Sequence, residues 1–242
     1  MFDLTGKKAL VTGSTQGIGF AIAKCLYGQG AQVIVHGGTS EEKCRAAAEA
    51  LGGLPYAVEP LGVSGCADRL YEKTGDVDIL VLNASVQIRK KWHEITEEEY
   101  RRQMDTNFLS SLQLIQKYTP SMRAKGWGRV VTVGSVQQYK PHRDMLVYAG
   151  SKDALMSLVR NLAKQLAPEG VTVNNMSPGV IATPRNADAL GDPEYSKQVY
   201  AGIPMGYAGE ASDCAGATLL LCSEEGRYIT GTDITVDGGM RL

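Results

Sequence analysis

The chain has no excess of charge, no long apolar run and no secretory pattern at its start, and each absence limits what the protein can be. The 242 residues carry 25 Lys and Arg against 26 Asp and Glu, a net charge of −1, so a basic surface for nucleic acid is missing. No apolar run approaches the roughly 18 residues of a membrane span, and the opening residues lack a charged-then-apolar leader. We therefore expect a cytoplasmic protein without nucleic-acid or membrane partners.

Cysteine is also too scattered for a disulfide framework or a metal site. The five cysteines are odd in number and show no C-x-x-C spacing, which is typical of reduced thiols. His142 has no second His, Cys or carboxylate at ligand spacing, so no metal site is predicted. The cysteines are Cys25, Cys44, Cys66, Cys214 and Cys222.

Apolar strand patterns alternate with helical patterns along the chain, and no repeat, low-complexity tract or linker interrupts them. This alternation predicts right-handed βαβ units around a buried parallel sheet, in one α/β domain over residues 1–242. Thr96, with Glu99 at the capping-box position, is predicted to begin a helix. The other predicted segments are strands at 32–35, 56–58 and 78–82 and helices at 41–51 and 66–74.

A glycine-rich turn separates the first strand from the first helix. Residues 9–11 run into Thr12-Gly13-Ser14-Thr15-Gln16-Gly17-Ile18-Gly19, which apolar-periodic residues follow. Glycines let a backbone approach a pyrophosphate closely, and the free N–H groups of a helix start favour an anion. The spacing G-x-x-x-G-x-G differs from both G-x-G-x-x-G and the P-loop. The turn predicts a dinucleotide-binding site.

Tyr148 and Lys152 stand four residues apart, so on a helix they share one face. An ammonium beside a phenol stabilises the phenolate and lowers the pKa of the tyrosine, which could then exchange a proton near neutral pH. The pair predicts acid/base chemistry on an alcohol or a carbonyl.

Together these segments closely resemble the short-chain dehydrogenase/reductase family, whose T-G-x-x-x-G-I-G and Y-x-x-x-K motifs match residues 12–19 and 148–152. The resemblance covers nearly the whole chain and implies a single-domain Rossmann fold, a doubly wound parallel sheet of about seven strands with helices on both faces. It also implies a homotetramer built on the long helices ending near Lys125 and Ala167 and on residues 233–242. Further matches, in family order, are Asn83-Ala84, Asn107, Ser135 and Pro178-Gly179.

The resemblance also implies catalytic roles. Tyr148 would be the general acid or base, Ser135 would bind the substrate oxygen, and Lys152 would lower the Tyr148 pKa and contact the nicotinamide ribose. Asn107 would hold a water in a proton relay toward Lys152. The predicted cofactor-binding residues are Gly13, Ser14, Gln16, Gly17, Ile18, Gly19, Thr39, Ser40, Val63, Asn83, Ala84, Tyr148, Lys152, Pro178, Gly179, Ile181 and Thr183.

Cofactor choice depends on the end of the second strand, where an acidic residue would bind the ribose hydroxyls of NAD and repel the 2′-phosphate of NADP. None stands in residues 33–40, although the arginines of many NADP-selecting members are also missing at Gln16 and Gly38. His36, Thr39 and Ser40 could bind a phosphate. We expect NADP, with NAD as the alternative.

Two positions depart from the family pattern. The family usually has glycine at Ser85, where we expect altered loop geometry without loss of cofactor binding. It often has aspartate at Gly62, so adenine would be held by backbone or apolar contacts.

The basic segment Gln87-Ile88-Arg89-Lys90-Lys91 offers two interpretations, a solvated charge run or a substrate contact. With Asn83-Ala84 it resembles the sugar-acid subgroup, such as gluconate 5-dehydrogenases, in which a cation beside the cleft could pair with a substrate carboxylate. Residues 184–209 resemble the family's mobile substrate lid. Arg143 and Arg185 would flank the same cleft. Gln137, Gln138 and His142 would bind hydroxyl groups of a polyol. The predicted substrate-binding residues are Gln87, Arg89, Ser135, Gln137 and His142.

The predicted function is therefore hydride transfer between a nicotinamide and a secondary alcohol or ketone of a sugar acid or polyol. One alternative is a reductase of 3-oxoacyl thioesters or other ketones. Another is a regulatory dinucleotide-binding protein without turnover, which the intact Asn107, Ser135, Tyr148 and Lys152 disfavour.

Overall fold

A seven-stranded parallel sheet forms the centre of the molecule. The computed structural model describes residues 1–188 and 190–242 fully and residue 189 by its backbone alone. Strand order in the large sheet is β3-β2-β1-β4-β5-β6-β9, and β7 pairs with β8 in a separate two-stranded sheet. The strands are β1 (Lys8–Val11), β2 (Gln32–Gly37), β3 (Tyr56–Val58), β4 (Ile79–Leu82), β5 (Gly128–Val133), β6 (Val171–Pro178), β7 (Ile181–Ala182), β8 (Gly209–Glu210) and β9 (Asp233–Val236).

Nine α-helices connect these strands in the described chain. The capping box predicted at Thr96 is confirmed, because Thr96 accepts from the Glu99 N–H while Glu99 accepts from the Thr96 N–H. Among the described residues, none of the helices has both the length and the apolar character of a membrane crossing. The helices are α1 (Gly17–Gly28), α2 (Glu41–Ala50), α3 (Cys66–Thr74), α4 (Glu97–Met104), α5 (Ser110–Lys125), α6 (Leu146–Leu166), α7 (Ala187–Gly191), α8 (Pro193–Ala201) and α9 (Ala211–Cys222).

Alternate residues of each central strand enter two different hydrophobic cores. In β1, Ala9 and Val11 pack in the core that includes α1 and α9, whereas Leu10 packs in the core that includes α5 and α6. Because successive side chains of a strand point to opposite faces, the sheet is buried on both sides. The predicted doubly wound α/β fold is confirmed.

The strand order reverses beside β1. The chain runs from β1 outward through β2 and β3, and then returns to β4 on the other side of β1. In such sheets a crevice opens beyond the carboxyl ends of the strands at the reversal. The glycine-rich turn follows β1 and Asn83 follows β4, so the fold brings both motifs to this crevice.

The segment predicted to form a lid lies between the two strands of the small sheet. It begins with a 3₁₀ turn at Pro184–Asn186 and continues through α7 and α8 before the chain reaches β8. Its mobility stays a prediction.

Gly62, where the family resemblance predicts an aspartate, has no room for a side chain. Its φ is +82°, and a Cβ would lie 2.6 Å from Thr106 Oγ1 and 2.8 Å from Thr106 N. The chain therefore packs too closely against Thr106 for any side chain at this position.

We predict that Gly62→Ala lowers the free energy of unfolding by about 2 to 4 kcal/mol, since backbone strain adds to the overlap with Thr106. Gly53→Ala is the matched control. Gly53 has φ +83° with no described atom within 4 Å of a Cβ, so strain alone should cost about 1 kcal/mol. Urea unfolding at equal chain concentration measures both, and equal losses would contradict the steric account.

Candidate active site

The glycine-rich turn presents backbone N–H groups at the start of α1. Gly13 has φ +64° and Gly17 has φ +59°. Residues other than glycine rarely adopt these backbone conformations. In the described structure no side chain caps the first turn of α1, and that turn contains no acidic residue. The N–H groups and the positive end of the helix dipole are thus available to an anion such as a pyrophosphate.

Asn83 and Thr12 join this turn to the end of β4. The Asn83 Nδ2 donates to Thr12 O at 2.9 Å and to Gly13 O at 3.0 Å. In return, Thr12 Oγ1 accepts from the N–H groups of Asn83 and Ala84 at 3.0 and 3.1 Å. Both amide protons of Asn83 are used, so its side chain shapes the turn.

His36, expected to face a phosphate, turns inward instead. Its Nδ1 accepts from the Gly13 N–H at 3.1 Å, so the proton lies on Nε2, which is 3.0 Å from Glu59 O. Burial lowers the pKa of His36 to about 4. The ring is therefore neutral near pH 7, and it supports the glycine-rich turn by accepting the hydrogen bond from Gly13.

Tyr148 and Lys152 lie together in the first turns of α6, and both are buried. Lys152 Nζ is 5.6 Å from the centre of the Tyr148 ring and donates to Val133 O at 2.7 Å. Burial lowers the pKa of Lys152 to about 7. A larger fraction of Lys152 is therefore neutral near pH 7 than for a lysine in water.

The expected lowering of the Tyr148 pKa is not what the structure shows. Burial raises the pKa of Tyr148 above its ordinary value, while the charge of Arg185 and the nearby Ser135 hydroxyl act in the opposite direction. Desolvation disfavours the phenolate, and it outweighs these two opposing effects. A protonated tyrosine is suited to donate a proton to a carbonyl oxygen.

Ser135 follows β5 and begins a short 3₁₀ turn. Its Oγ accepts from the Gln137 N–H at 3.2 Å, and its hydroxyl group lies close enough to Tyr148 to lower the pKa of that residue. Gln138, expected to face a substrate, instead directs its Oε1 back to the Ser135 N–H at 2.9 Å.

Asn107 lies in a π-helical turn (Asp105–Leu109) between α4 and α5. Its Nδ2 donates to Val86 O at 2.9 Å and to Ser151 Oγ at 3.0 Å, and its Oδ1 accepts from the Val86 N–H at 2.8 Å. Ser151 in turn donates to Tyr148 O at 2.7 Å. The side chain thus links the loop after β4 to α6, with both amide protons occupied; its role in a water relay stays a prediction.

One cavity of about 1050 Å³ extends from the glycine-rich turn to Tyr148. Arg89 lies at the cavity wall with an exposed side chain. The predicted site residues that line the cavity are Gly13, Gln16, Gly17, Ile18, Gly19, Thr39, Val63, Asn83, Ala84, Gln87, Arg89, Ser135, Gln137, Tyr148, Lys152, Pro178, Gly179, Ile181 and Thr183.

Three predicted binding residues have other partners in the described structure and are not part of the cavity lining. Ser14 Oγ donates to Val11 O and accepts from the His36 N–H. Ser40 caps α2 by accepting from the Lys43 N–H. His142 Nδ1 accepts from the Asp144 N–H at 3.1 Å. Local turn and cap geometry accounts for all three.

Arg185, expected together with Arg143 to flank the cleft, lines the cavity, whereas Arg143 is not part of its described lining. Its Nη1 donates to Ser85 Oγ at 3.0 Å and its Nη2 to Ser85 O at 2.8 Å. Its charge lowers the pKa of both Tyr148 and Lys152.

Comparison with known proteins gives a consistent result. A family model described as enoyl-(acyl carrier protein) reductase matches residues 13–241. The 3-oxoacyl-(acyl-carrier-protein) reductase of Escherichia coli is 36% identical over 245 residues, covering 99% of each chain.

Solved structures match over nearly the whole chain. A 3-oxoacyl (acyl-carrier-protein) reductase from Agrobacterium tumefaciens with NADP bound has a TM-score of 0.94 and 37% identity, with 98% of this chain and 95% of that chain covered. A gluconate 5-dehydrogenase from Burkholderia cenocepacia, in complex with NADP and tartrate, has a TM-score of 0.91 and 28% identity, with 99% and 96% covered. Both chemistries therefore occur on this fold.

Proposed function

The chain belongs to the short-chain dehydrogenase/reductase family of NAD(P)-dependent oxidoreductases, and on that premise we propose that it interconverts a ketone and a secondary alcohol in a sugar acid or polyol. A bound nicotinamide supplies or accepts the hydride. The glycine-rich turn, with its uncapped helix start, would hold the pyrophosphate, and the cavity walls around Ile181 and Thr183 would hold the nicotinamide end.

The observation that carries the substrate class is an unpaired acceptor on Gln137, the residue whose N–H donates to the Ser135 hydroxyl. Gln137 lines the cavity, and its Oε1 is buried without a hydrogen-bond partner in the described structure. An unsatisfied buried polar atom costs about 1 to 3 kcal/mol. A substrate hydroxyl would satisfy it, whereas an alkyl chain would leave it unpaired.

The cations of the cavity support an acidic substrate. Arg89 and Arg185 both line it, and guanidinium groups form paired hydrogen bonds with carboxylates. The gluconate 5-dehydrogenase relative was crystallised with tartrate, a hydroxy acid. Arg89, just beyond the strand that ends at Leu82, is the residue we propose to bind the carboxylate.

A second candidate, reduction of a 3-oxoacyl thioester, is favoured by the names of the relatives at 36% and 37% identity. Catalysis would use the same residues in either case. The two candidates differ in whether the substrate carries hydroxyl groups and a carboxylate next to the ketone, or an apolar chain and a thioester.

We propose NADP as the cofactor. The end of β2 carries His36-Gly37-Gly38-Thr39 in place of a carboxylate, so nothing acidic on this strand opposes a 2′-phosphate. The two solved relatives named above bind NADP. NAD is the alternative that a direct comparison of the two cofactors tests.

In the reduction, Tyr148 would donate its phenolic proton to the carbonyl oxygen while Ser135 holds that oxygen by a hydrogen bond. The ammonium of Lys152 would stabilise the resulting phenolate. In the oxidation the same groups would act in reverse, with Tyr148 as the base.

We further propose a cytoplasmic homotetramer. Leu109, next to α5, and Leu146, in α6, are 41% and 59% exposed in the single chain, which suits burial against a second copy. Light scattering at micromolar concentration should give four times the mass of one chain. A monomeric mass would contradict the proposal.

Replacing Tyr148 with Phe should reduce turnover by at least about 100-fold, because the exchangeable proton is lost. Cofactor affinity, measured by fluorescence titration, should stay nearly unchanged. Tyr118→Phe is the control, since this buried tyrosine bonds Thr74 at 2.6 Å and is not part of the described cavity lining. Turnover near that of the wild type in Tyr148→Phe would contradict the mechanism.

A substrate panel tests the proposed function directly. NADPH and NADH consumption should be followed with a keto-sugar acid, an uncharged keto-sugar and acetoacetyl-coenzyme A. We expect the keto-sugar acid with NADPH to give the highest kcat/KM. Preference for the thioester would favour the second candidate, and cofactor binding without consumption of any substrate would favour a protein without turnover.

Arg89→Ala should raise KM for the keto-sugar acid by about 10-fold, the scale of one charge-assisted pair, and affect the uncharged keto-sugar far less. Arg143→Ala removes a nearby positive charge as a control, because Arg143 is 91% exposed and contacts Asp144. Equal losses on both substrates, or none on either, would exclude Arg89 as the carboxylate ligand.

A further inference from the structure

The turn that carries Ser135 is held from behind by a buried polar network. Gln138 Oε1 accepts from the Ser135 N–H at 2.9 Å. The hydroxyl of Ser177, at the end of β6, lies 3.2 Å from the same oxygen and 2.8 Å from Asp233 Oδ2. The network therefore connects the turn after β5 with β6 and with β9.

Asp233 anchors the network at its far end. Its Oδ1 accepts from Asn175 Nδ2 at 2.8 Å, and its Oδ2 accepts from Ser177 and from the hydroxyl of Tyr139. A carboxylate that accepts several hydrogen bonds is firmly oriented, and charge-assisted bonds are about twice as strong as neutral ones. The one Ser177 proton is shared between these two acceptors, and it binds Asp233 Oδ2, which is nearer and charged, more strongly than Gln138 Oε1.

Gly134 leaves the space in which this network meets the turn. A Cβ on Gly134 would lie 2.2 Å from Gln138 Oε1, 2.4 Å from Asn175 Nδ2 and 2.7 Å from Ser177 Oγ. Three network atoms thus approach the backbone directly before Ser135. Because the turn and the network are packed directly against each other at Gly134, a displacement of one displaces the other.

We propose that Gln138 and Asp233 are positioning residues, which act through Ser177 and the Ser135 N–H to hold the Ser135 hydroxyl against Tyr148. Neither residue needs to touch the substrate. The inference rests on the role of Ser135 in the proposed function.

The position of Ser135 should be visible in the titration of Tyr148. Burial raises the pKa of Tyr148, whereas the charge of Arg185 and the nearby Ser135 hydroxyl both lower it. Lys152 on α6 is the other charged group beside the ring. If Ser135 moves away, the Tyr148 pKa rises, so oxidation, which requires the phenolate, should need a higher pH.

The test is Gln138→Leu, which removes the acceptor at similar volume. We expect kcat to fall about 10-fold, as for one lost hydrogen bond in the transition state, with the KM for NADPH unchanged. The acidic limb of the kcat profile for alcohol oxidation should shift to higher pH. Ser177→Ala, which breaks the link to Asp233, should change kcat and the pH profile in the same direction by a smaller amount. It provides a second test if Gln138→Leu folds poorly.

Tyr139→Phe is the matched control, because it removes a bond to the same carboxylate from the exposed side and leaves the link to Gln138 intact. It should keep the kcat and the pH profile of the wild type. Ser135→Ala distinguishes the positioning role of Gln138 and Asp233 from the catalytic role of Ser135 itself. Two results would overturn the positioning role alone, provided that Ser135→Ala loses turnover. In the first, Gln138→Leu keeps the kcat and pH profile of the wild type; in the second, Gln138→Leu lowers kcat without shifting the pH profile. Full turnover in Ser135→Ala would overturn the proposed mechanism and this inference with it.

Discussion

The hydrogen bonds between Asn83 and Thr12 are the constraint on which the rest of the site depends. They tie the carboxyl ends of β1 and β4 where the strand order reverses, and a crevice would otherwise be free to widen there. Gly19 belongs to the same contact, since a Cβ on it would lie 2.4 Å from Asn83 Nδ2. Because the glycine-rich turn is fixed in this way, its N–H groups form a preorganised anion site in the cavity that extends to Tyr148.

Burial gives the acid/base pair its properties and also costs stability. The same desolvation raises the pKa of Tyr148 and lowers that of Lys152, so both groups are held closer to their neutral forms than in water. Residues around them then adjust the balance, with Ser135 and Arg185 favouring the phenolate. Active sites commonly keep such destabilised groups because function needs them. The Asn107–Ser151 contact, which ends on the Tyr148 carbonyl, keeps α6 in place despite this cost.

The fold and the catalytic motifs could be predicted because they depend on local patterns. Strand 56–58 and helix 66–74 follow from periodicity, and the capping box at Thr96 follows from two residues three apart. Contacts between distant segments could not be predicted, since Arg185 and Ser85 are 100 residues apart. Side-chain direction was equally inaccessible. Gln137 and Gln138 are neighbours in sequence, yet one leaves its Oε1 without a partner beside the cavity and the other turns back onto Ser135.

The departures from the family pattern make physical sense when they are considered in pairs. An arginine at position 185 brings a cation close to Lys152, and like charges in a buried site repel. Ser85 provides a hydroxyl and a carbonyl that bind two of its donors, which holds the guanidinium at the cavity wall, and a glycine at position 85 would provide the carbonyl alone. In the same way, Gly62 is required because Thr106 occupies the space of a side chain. Each unusual residue therefore constrains its partner, and these pairs shape the cavity walls around the residues of the shared motifs.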